Sequence, residues 1–269
     1  MAKVPPATWD WRAAPCQFPA PRVSGGNYCT PVLNQRSARI YCGSCWGFAA
    51  VSAVCDRMEI MHRAAGMAQP QVMLSVQVLL NCVPHAAATC DGGNVARVFQ
   101  YMQEHGLPSE SCAAYVGEPL ACTPMNTCKS CQRDERNGGY VAVCHAIEAP
   151  KMYFIEGHSK MVDPTPAQIM HEVYWNGPVV AYVNGEPLER YVPGSVYSNS
   201  KASKVPDHVV CIVGWGSSAA DGDFWIIRNS WGDFWGDGGF GRIQRGTNCL
   251  GVESLICAPA PHGWSKIMG

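Results

Sequence analysis

The stretch from Asn34 to Arg57 limits the possible folds more than any other part of the sequence. A polar loop ends in the letters CGSCW at positions 42–46, and the residues after it are mostly small or apolar. Such a run predicts a helix that is buried on nearly every side. Cys45 would lie in its first turn, where unpaired backbone N–H groups and the helix dipole stabilise a thiolate and lower the cysteine pKa. The stretch therefore predicts a nucleophilic cysteine at the start of a buried helix.

Three other interpretations of these residues are open. Cys42 and Cys45 have the C-x-x-C spacing of thioredoxin-like redox proteins. Residues 43–47 match the G-x-nucleophile-x-G turn of α/β-hydrolases, with cysteine in place of serine. Both motifs should follow a strand, and residues 36–39 have no strand character. The third interpretation is a buried cysteine that has only a packing role.

Composition excludes several classes of protein. A chain of 269 residues with 47% hydrophobic content can bury a large core in one domain or in two packed halves. Because 20 basic residues are balanced by 21 acidic ones, we expect neither nucleic acid nor a membrane as partner. No apolar run approaches the roughly 18 residues that span a bilayer. Fifteen cysteines indicate an oxidising compartment and a disulfide framework with at least one thiol left over.

The pattern of the chain changes from helices to strands. After the buried helix, the sequence predicts a short helix capped by Ser75, a helix that Gly106 ends, and a helix that starts at Thr165. Alternation of apolar residues then predicts strands at 179–183, 209–215, 224–228, 240–244 and 252–257. The first half is therefore expected to be helical and the second half to form a sheet.

The cysteine-rich segment between Cys112 and Cys144 has two interpretations. Cys128 and Cys131 have the C-x-x-C spacing of a structural zinc site, and His145 is close by in the sequence. Disulfides would stabilise such a loop-rich segment equally well.

A cysteine nucleophile needs a base within hydrogen-bond reach. His208 lies where the predicted strand 209–215 begins, which would hold its ring at a sheet edge. Asn229 follows the strand 224–228, and its amide can accept the second ring N–H and fix the tautomer. Trp231 would shield the pair from water. We therefore predict a Cys45–His208–Asn229 site in a cleft between the two halves.

Five motifs occur in the order found in the papain family of cysteine peptidases, which this sequence resembles. They are NQ at 34–35, CGSCW at 42–46, CDGGN at 90–94, DHVV with GWG at 207–216, and RNSWG at 228–232. The resemblance implies an α+β, papain-like two-lobed fold. A helical lobe would span about 21–137, and an antiparallel β-barrel-like lobe would span 138–269 together with an N-terminal strap, 1–20.

The resemblance also implies roles for individual residues. Cys45 would be the nucleophile, His208 the base and acid, Asn229 the residue that orients His208, and Gln35 a donor to the oxyanion. Substrate contacts are expected from Gly92, Gly93, Trp231, Tyr41, Arg36 and Arg39. No metal or organic cofactor is implied. The expected partners are peptide or protein substrates, cystatin-like inhibitors and the enzyme's own pro-segment.

We expect a monomer in the lysosome or a related acidic vesicle, or a secreted protein. The first twelve residues lack the apolar core of a signal peptide. A signal and a pro-segment are therefore expected to lie outside this sequence.

Within the family, the sequence resembles the cathepsin X (cathepsin Z) branch of carboxypeptidases. The resemblance rests on the tyrosine before CGSCW, on QEHGLP at 103–108 and on RNSWGDFWGD at 228–237. It implies the disulfides Cys42–Cys90, Cys82–Cys122, Cys112–Cys128 and Cys131–Cys144. The partners of Cys55, Cys211, Cys249 and Cys257 stay open.

The loop before CGSCW departs from that branch. Its members carry a histidine there that holds the C-terminal carboxylate of the substrate, whereas residues 36–41 contain no histidine. We expect Arg36 or Arg39 to take its place, because a guanidinium binds a carboxylate bidentately and stays charged. The alternatives are a papain-like endopeptidase and a non-catalytic peptide-binding protein.

Overall fold

The computed structural model describes residues 4–14, 25–67, 70–135 and 141–263. The predicted strap 1–20 is therefore described only over residues 4–14, and the predicted lobe boundary near 137–138 lies outside the described residues.

In the described residues, four of the five α-helices lie in the first half of the chain. The five helices are α1 (Cys45–Ala64), α2 (Val76–Cys82), α3 (Val95–His105), α4 (Pro124–Thr127) and α5 (Pro166–Asn176). Nearly every side chain of α1 is buried, as its composition predicts. Ser75 caps α2 by accepting a hydrogen bond from the backbone of Val78, and Thr165 caps α5 in a capping box with Gln168. The one-turn helix α4 was not predicted.

In the described residues, seven of the eleven strands lie in the second half of the chain. The eleven strands are β1 (Trp9–Asp10), β2 (Ala88–Thr89), β3 (Gly92–Gly93), β4 (Lys129–Arg133), β5 (Ala142–Ala146), β6 (Ile155–Val162), β7 (Val179–Val183), β8 (His208–Ser218), β9 (Gly222–Arg228), β10 (Phe240–Gln244) and β11 (Leu255–Pro261). The main antiparallel sheet has the order β10-β9-β8-β7-β11-β6, and β1 pairs with β8. Helix α1 packs against β8 and β11, so the helix that begins at Cys45 rests on the centre of the sheet.

Two features of the sheet differ from the prediction. Strand β6 was missed because glycine, histidine and lysine interrupt its apolar residues, and it forms by pairing with β11. The last strand begins at Leu255 rather than at residue 252, since residues 249–254 turn instead. The carboxylate of Glu253 fixes this turn by accepting hydrogen bonds from the backbones of Gly246 and Asn248 and from the Trp225 indole.

Four disulfides join the pairs that the resemblance implies: Cys42–Cys90, Cys82–Cys122, Cys112–Cys128 and Cys131–Cys144. Because Cys128 and Cys131 belong to different disulfides, they offer no thiolates to a zinc ion. Cys42 is likewise not a redox partner of Cys45. The cysteines whose partners stayed open, Cys55, Cys211, Cys249 and Cys257, are buried thiols. No helix in the described part of the chain is long and apolar enough to cross a membrane.

Candidate active site

The first turn of α1 places Cys45 at the meeting point of the helices and the sheet. The loop before it is fixed by the Cys42–Cys90 disulfide and by a hydrogen bond of 2.7 Å from the Gly43 N–H to the Cys90 carbonyl. A Cβ atom on Gly43 would lie 2.6 Å from that carbonyl oxygen, so only glycine allows this approach. The backbone N–H of Val209, the residue after His208, acts on the Cys45 thiol and favours a lower pKa.

His208 and Asn229 meet across neighbouring strands of the sheet. His208 is the first residue of β8, and Asn229 follows the last residue of β9. The His208 Nε2 lies 2.8 Å from the Asn229 Oδ1. With Nε2 donating to this amide oxygen, Nδ1 is the ring nitrogen left to exchange a proton. The pair therefore has the orientation that the sequence predicts.

Two residues hold the His208 ring in place. Trp231 stacks on it with ring centroids 4.8 Å apart, and Trp231 itself is only 4% exposed. On another side, a Cβ atom on Gly185 would lie 2.5 Å from the His208 Cβ. The Asp207 carboxylate accepts a hydrogen bond from the Gly185 N–H and fixes this turn against the histidine. The ring is thus shielded from water and held by its surroundings.

Burial disfavours the charged forms of both Cys45 and His208. It raises the pKa of the Cys45 thiol to about 11. It also lowers the pKa of His208, while the hydrogen bond with Asn229 acts in the opposite direction. Backbone N–H groups of Cys45, Trp46 and Val209 lower the Cys45 pKa, but burial contributes more. The sequence predicts that the helix start lowers the Cys45 pKa; the backbone N–H groups do act in that direction, but burial outweighs them and the pKa is raised.

Gln35 is held beside Cys45 by the residue that follows Asn229. The Ser230 hydroxyl donates a hydrogen bond of 2.6 Å to the Gln35 Oε1, and the Gln35 N–H donates to the Ser230 carbonyl at 2.8 Å. The side-chain Nε2 has only a long contact of 3.4 Å with the Cys42 carbonyl. Since Oε1 is fixed, Nε2 faces the nucleophile loop as a weakly engaged donor. This arrangement suits an oxyanion.

Tyr115 was not predicted as part of the site, yet it supports both loops. Its hydroxyl donates a hydrogen bond of 3.1 Å to the Gln35 carbonyl and lies 2.7 Å from the Ser44 hydroxyl. It therefore connects Gln35 with the residue before Cys45. Nothing in the sequence pattern around Tyr115 indicates this role.

Gly92 and Gly93 form the short strand β3 beside the nucleophile helix. A Cβ atom on Gly93 would lie 2.7 Å from the Trp46 indole, whereas one on Gly92 would meet nothing within 4 Å. The backbone of Gly92 has a φ of +128°, which favours glycine. Nearby, the Tyr182 hydroxyl accepts a hydrogen bond from the N–H of Val95, the first residue of α3. Like Tyr115, Tyr182 is not among the residues that the sequence predicts near the site.

The two candidate arginines of the loop 36–41, Arg36 and Arg39, have different surroundings. The Arg36 guanidinium carbon lies 4.0 Å from the centroid of Trp231, and both terminal nitrogens contact the Glu189 carboxylate. Arg39 and Tyr41 are exposed, and Arg39 forms no ion pair with any residue that the structure describes. The structure thus brings Arg36, and not Arg39, next to the His208–Trp231 stack. Glu189, the partner of Arg36, carries no signal in the sequence.

The chain belongs to the papain family of cysteine proteases. The family model described as "Papain family cysteine protease" matches residues 5–260. Cathepsin Z of Onchocerca volvulus is 31% identical over 239 residues, which cover 88% of this chain and 70% of that protein. Cathepsin B-like protease 1 of Arabidopsis thaliana is 32% identical and is matched over 82% of this chain and 56% of its own length.

A solved structure supports the same fold. The digestive procathepsin L2 proteinase from Tenebrio molitor larval midgut superposes with a TM-score of 0.71 at 27% identity, covering 96% of this chain and 69% of that one. The chain is therefore a papain-like α+β protein of the cysteine peptidase class, similar to cathepsins.

Proposed function

We propose that this papain-family cysteine peptidase acts as a carboxypeptidase that removes single residues from the C-terminus of peptides. The observation that carries the proposal is the position of Arg36, whose guanidinium lies 4.0 Å from the centroid of the Trp231 ring that stacks on His208. A carboxylate at that point would be bound by a charged, bidentate donor.

The reaction begins with transfer of the Cys45 proton to Nδ1 of His208. The transfer creates a thiolate and an imidazolium without changing the net charge of the site, so the burial that opposes either charge alone opposes the pair less. The thiolate attacks the scissile carbonyl carbon and forms a C–S bond. The Gln35 Nε2 and the Cys45 N–H donate to the resulting oxyanion.

Collapse of this intermediate breaks the C–N bond, and His208 donates its proton to the leaving amine. The acyl group remains on Cys45. His208 then takes a proton from a water molecule, which attacks the thioester and releases the second product. Asn229 keeps the His208 ring oriented through both steps.

The surroundings of His208 support a single residue as the leaving group. His208 protonates the leaving amine, so the leaving residue lies on the side of the cleft formed by His208 and its stacked Trp231. Arg36 flanks this side and can hold the carboxylate of a one-residue leaving group. A longer leaving group would meet the loop 36–41, which is backed by its close contact with Gly117.

The similarity to cathepsin Z supports the proposed activity. The disulfide framework supports an oxidising compartment. We accordingly propose the lysosome, a related acidic vesicle or the cell exterior as the location. A pro-segment and cystatin-like proteins remain proposed partners, and the proposed state is a monomer.

The pairing of Arg36 with Glu189 favours a second candidate, an endopeptidase. If the guanidinium stays bound to this internal carboxylate, no anchor is available and internal bonds are cleaved. The two candidates share the Cys45 chemistry and differ only in the recognition of a free C-terminus.

One peptide offered as a free acid and as its C-terminal amide distinguishes them. The products are measured by mass spectrometry between pH 4 and 7. We expect stepwise loss of single residues from the free acid and no such loss from the amide. Arg36→Ala should abolish the preference for the acid, and the matched variant Arg39→Ala should keep it. Internal cleavage of both peptides by the unmodified enzyme would refute the carboxypeptidase.

A further inference from the structure

We propose that Glu189 controls the specificity of the enzyme by competing with the substrate for Arg36. In the free enzyme its carboxylate occupies the position that the C-terminal carboxylate of the substrate takes on binding. This inference rests on the proposed carboxypeptidase function and adds a residue that regulates it.

The geometry of the Arg36–Glu189 contact is that of a bound carboxylate. The Arg36 Nη1 donates to the Glu189 Oε2 at 3.1 Å, and Nη2 contacts Oε1. Such parallel donation from one guanidinium to both oxygens is the arrangement that recognises carboxylates in general. The same two donors cannot serve a second carboxylate in this way at the same time.

Glu189 comes from a different part of the fold, where it can move without disturbing Arg36. It lies in the 3₁₀ turn Glu186–Arg190, which follows β7, and 153 positions separate it from Arg36. Its side chain is 48% exposed, and exposed ion pairs are held only weakly.

Arg36 is positioned by contacts that do not involve Glu189. Its guanidinium carbon lies 4.0 Å from the centroid of Trp231, and its backbone N–H donates a hydrogen bond of 2.9 Å to the Asn34 Oδ1. The arginine can therefore remain in place when Glu189 leaves. The net charge of the site is the same whether Arg36 binds the Glu189 carboxylate or the substrate carboxylate.

The inference predicts opposite effects for the two members of the ion pair. Glu189→Gln keeps the size of the side chain and removes the competing charge, so binding of a free acid should improve. Arg36→Ala removes the anchor, so binding of the acid should weaken. A peptide amide, which has no carboxylate to exchange, should be insensitive to either change at this position.

The experiment measures kcat/KM for one peptide as free acid and as amide in the unmodified enzyme and in Glu189→Gln, Arg36→Ala and the double variant. The ratio of the two values cancels any effect of these charges on His208, because both substrates use the same chemistry. Glu186→Gln is the matched control, since Glu186 is an exposed carboxylate in the same turn.

Glu189→Gln should raise the acid-to-amide ratio by about two- to fivefold, as loss of an exposed competitor allows. Glu186→Gln should leave the ratio unchanged. The acid-to-amide ratio of the double variant should equal that of Arg36→Ala. The inference is overturned if Glu189→Gln leaves the ratio unchanged or lowers it, or if its effect persists without Arg36.

The outcomes separate this inference from the proposed function. An unmodified enzyme that prefers the acid and is unaffected by Glu189→Gln would retain the function and exclude the competition. An enzyme without preference that gains one in Glu189→Gln would support the competition and refute the carboxypeptidase as the native activity. If neither the unmodified enzyme nor Glu189→Gln prefers the acid, the competition and the carboxypeptidase function are both overturned.

Discussion

Asp56 and Arg228 form a buried ion pair that joins the helix beginning at Cys45 to the strand ending just before Asn229. The Asp56 Oδ2 accepts from the Arg228 Nη2 at 2.7 Å, and Oδ1 accepts from Nη1 at 3.1 Å. Thr30 adds hydrogen bonds from its backbone N–H and its hydroxyl. Burial raises the pKa of Asp56, whereas the attraction of Asp56 raises the pKa of Arg228. The four donated hydrogen bonds favour the charged carboxylate, so the pair fixes the helix that begins at Cys45 relative to Asn229.

Asp56→Asn should therefore destabilise the protein by about 3 to 5 kcal/mol, because it leaves the Arg228 charge buried without an opposite charge beside it. The free energy of unfolding is measured in urea with Cys45 alkylated to prevent self-cleavage. Asp221→Asn, a change of the same kind at an exposed position, should cost little. A decrease of less than about 1 kcal/mol in the free energy of unfolding of Asp56→Asn would show that the ion pair does not hold α1 and β9 together.

Gln35 and Ser230 should differ in their effect on kcat. Gln35→Ala removes an oxyanion donor and should lower kcat by about 100- to 1000-fold. Ser230→Ala leaves that donor in place but frees the amide to turn, so its loss should be smaller. Alkylation of Cys45 forms no oxyanion and serves as the control, since its rate should change little in either variant. Equal losses in kcat for the two variants would contradict the assignment of Gln35 as donor.

Gly93→Ala should destabilise the protein and lower kcat/KM. The added Cβ would lie 2.7 Å from the indole of Trp46, the residue after the nucleophile, so the start of α1 must shift. Overpacking of this kind costs about 1 to 3 kcal/mol. Gly157→Ala is the matched control, because a Cβ there would meet nothing within 4 Å. Thermal unfolding and kcat/KM of Gly93→Ala that match those of the control would refute the steric argument.

Local signals in the sequence predicted much of the fold. Ser75 and Thr165 cap helices because their side chains bond to backbone groups two or three residues away, and that requirement is visible in the sequence. The run of mostly small and apolar residues after Cys45 likewise predicts a helix with almost no exposed side. The order of the motifs then predicted which histidine and which asparagine would meet, and His208 and Asn229 do lie 2.8 Å apart.

Contacts between distant parts of the chain could not be predicted in this way. Glu189 pairs with Arg36 only because the turn after β7 lies over the loop before α1, and no local pattern indicates that neighbourhood. Strand β6 exists because β11 pairs with it, although its own residues do not alternate. The raised pKa of Cys45 has the same origin, since burial is a property of the packed chain and outweighs the helix terminus.

The most direct test of the Cys45–His208 pair is the pH dependence of Cys45 alkylation by a small uncharged haloacetamide, in the unmodified enzyme and in His208→Ala. In the proposed mechanism, Cys45 ionises below neutral pH only by giving its proton to His208. Without this acceptor, the thiol must lose its proton against burial, which raises its pKa to about 11.

At pH 5, alkylation of Cys45 in His208→Ala should therefore be slower by on the order of 100-fold or more, and the rate should rise steadily towards alkaline pH. Peptide mapping by mass identifies the modified residue, and His105→Ala, a change at an exposed histidine, should behave like the unmodified enzyme. Identical pH profiles with and without His208 would show that Cys45 ionises independently, which would contradict the catalytic pair.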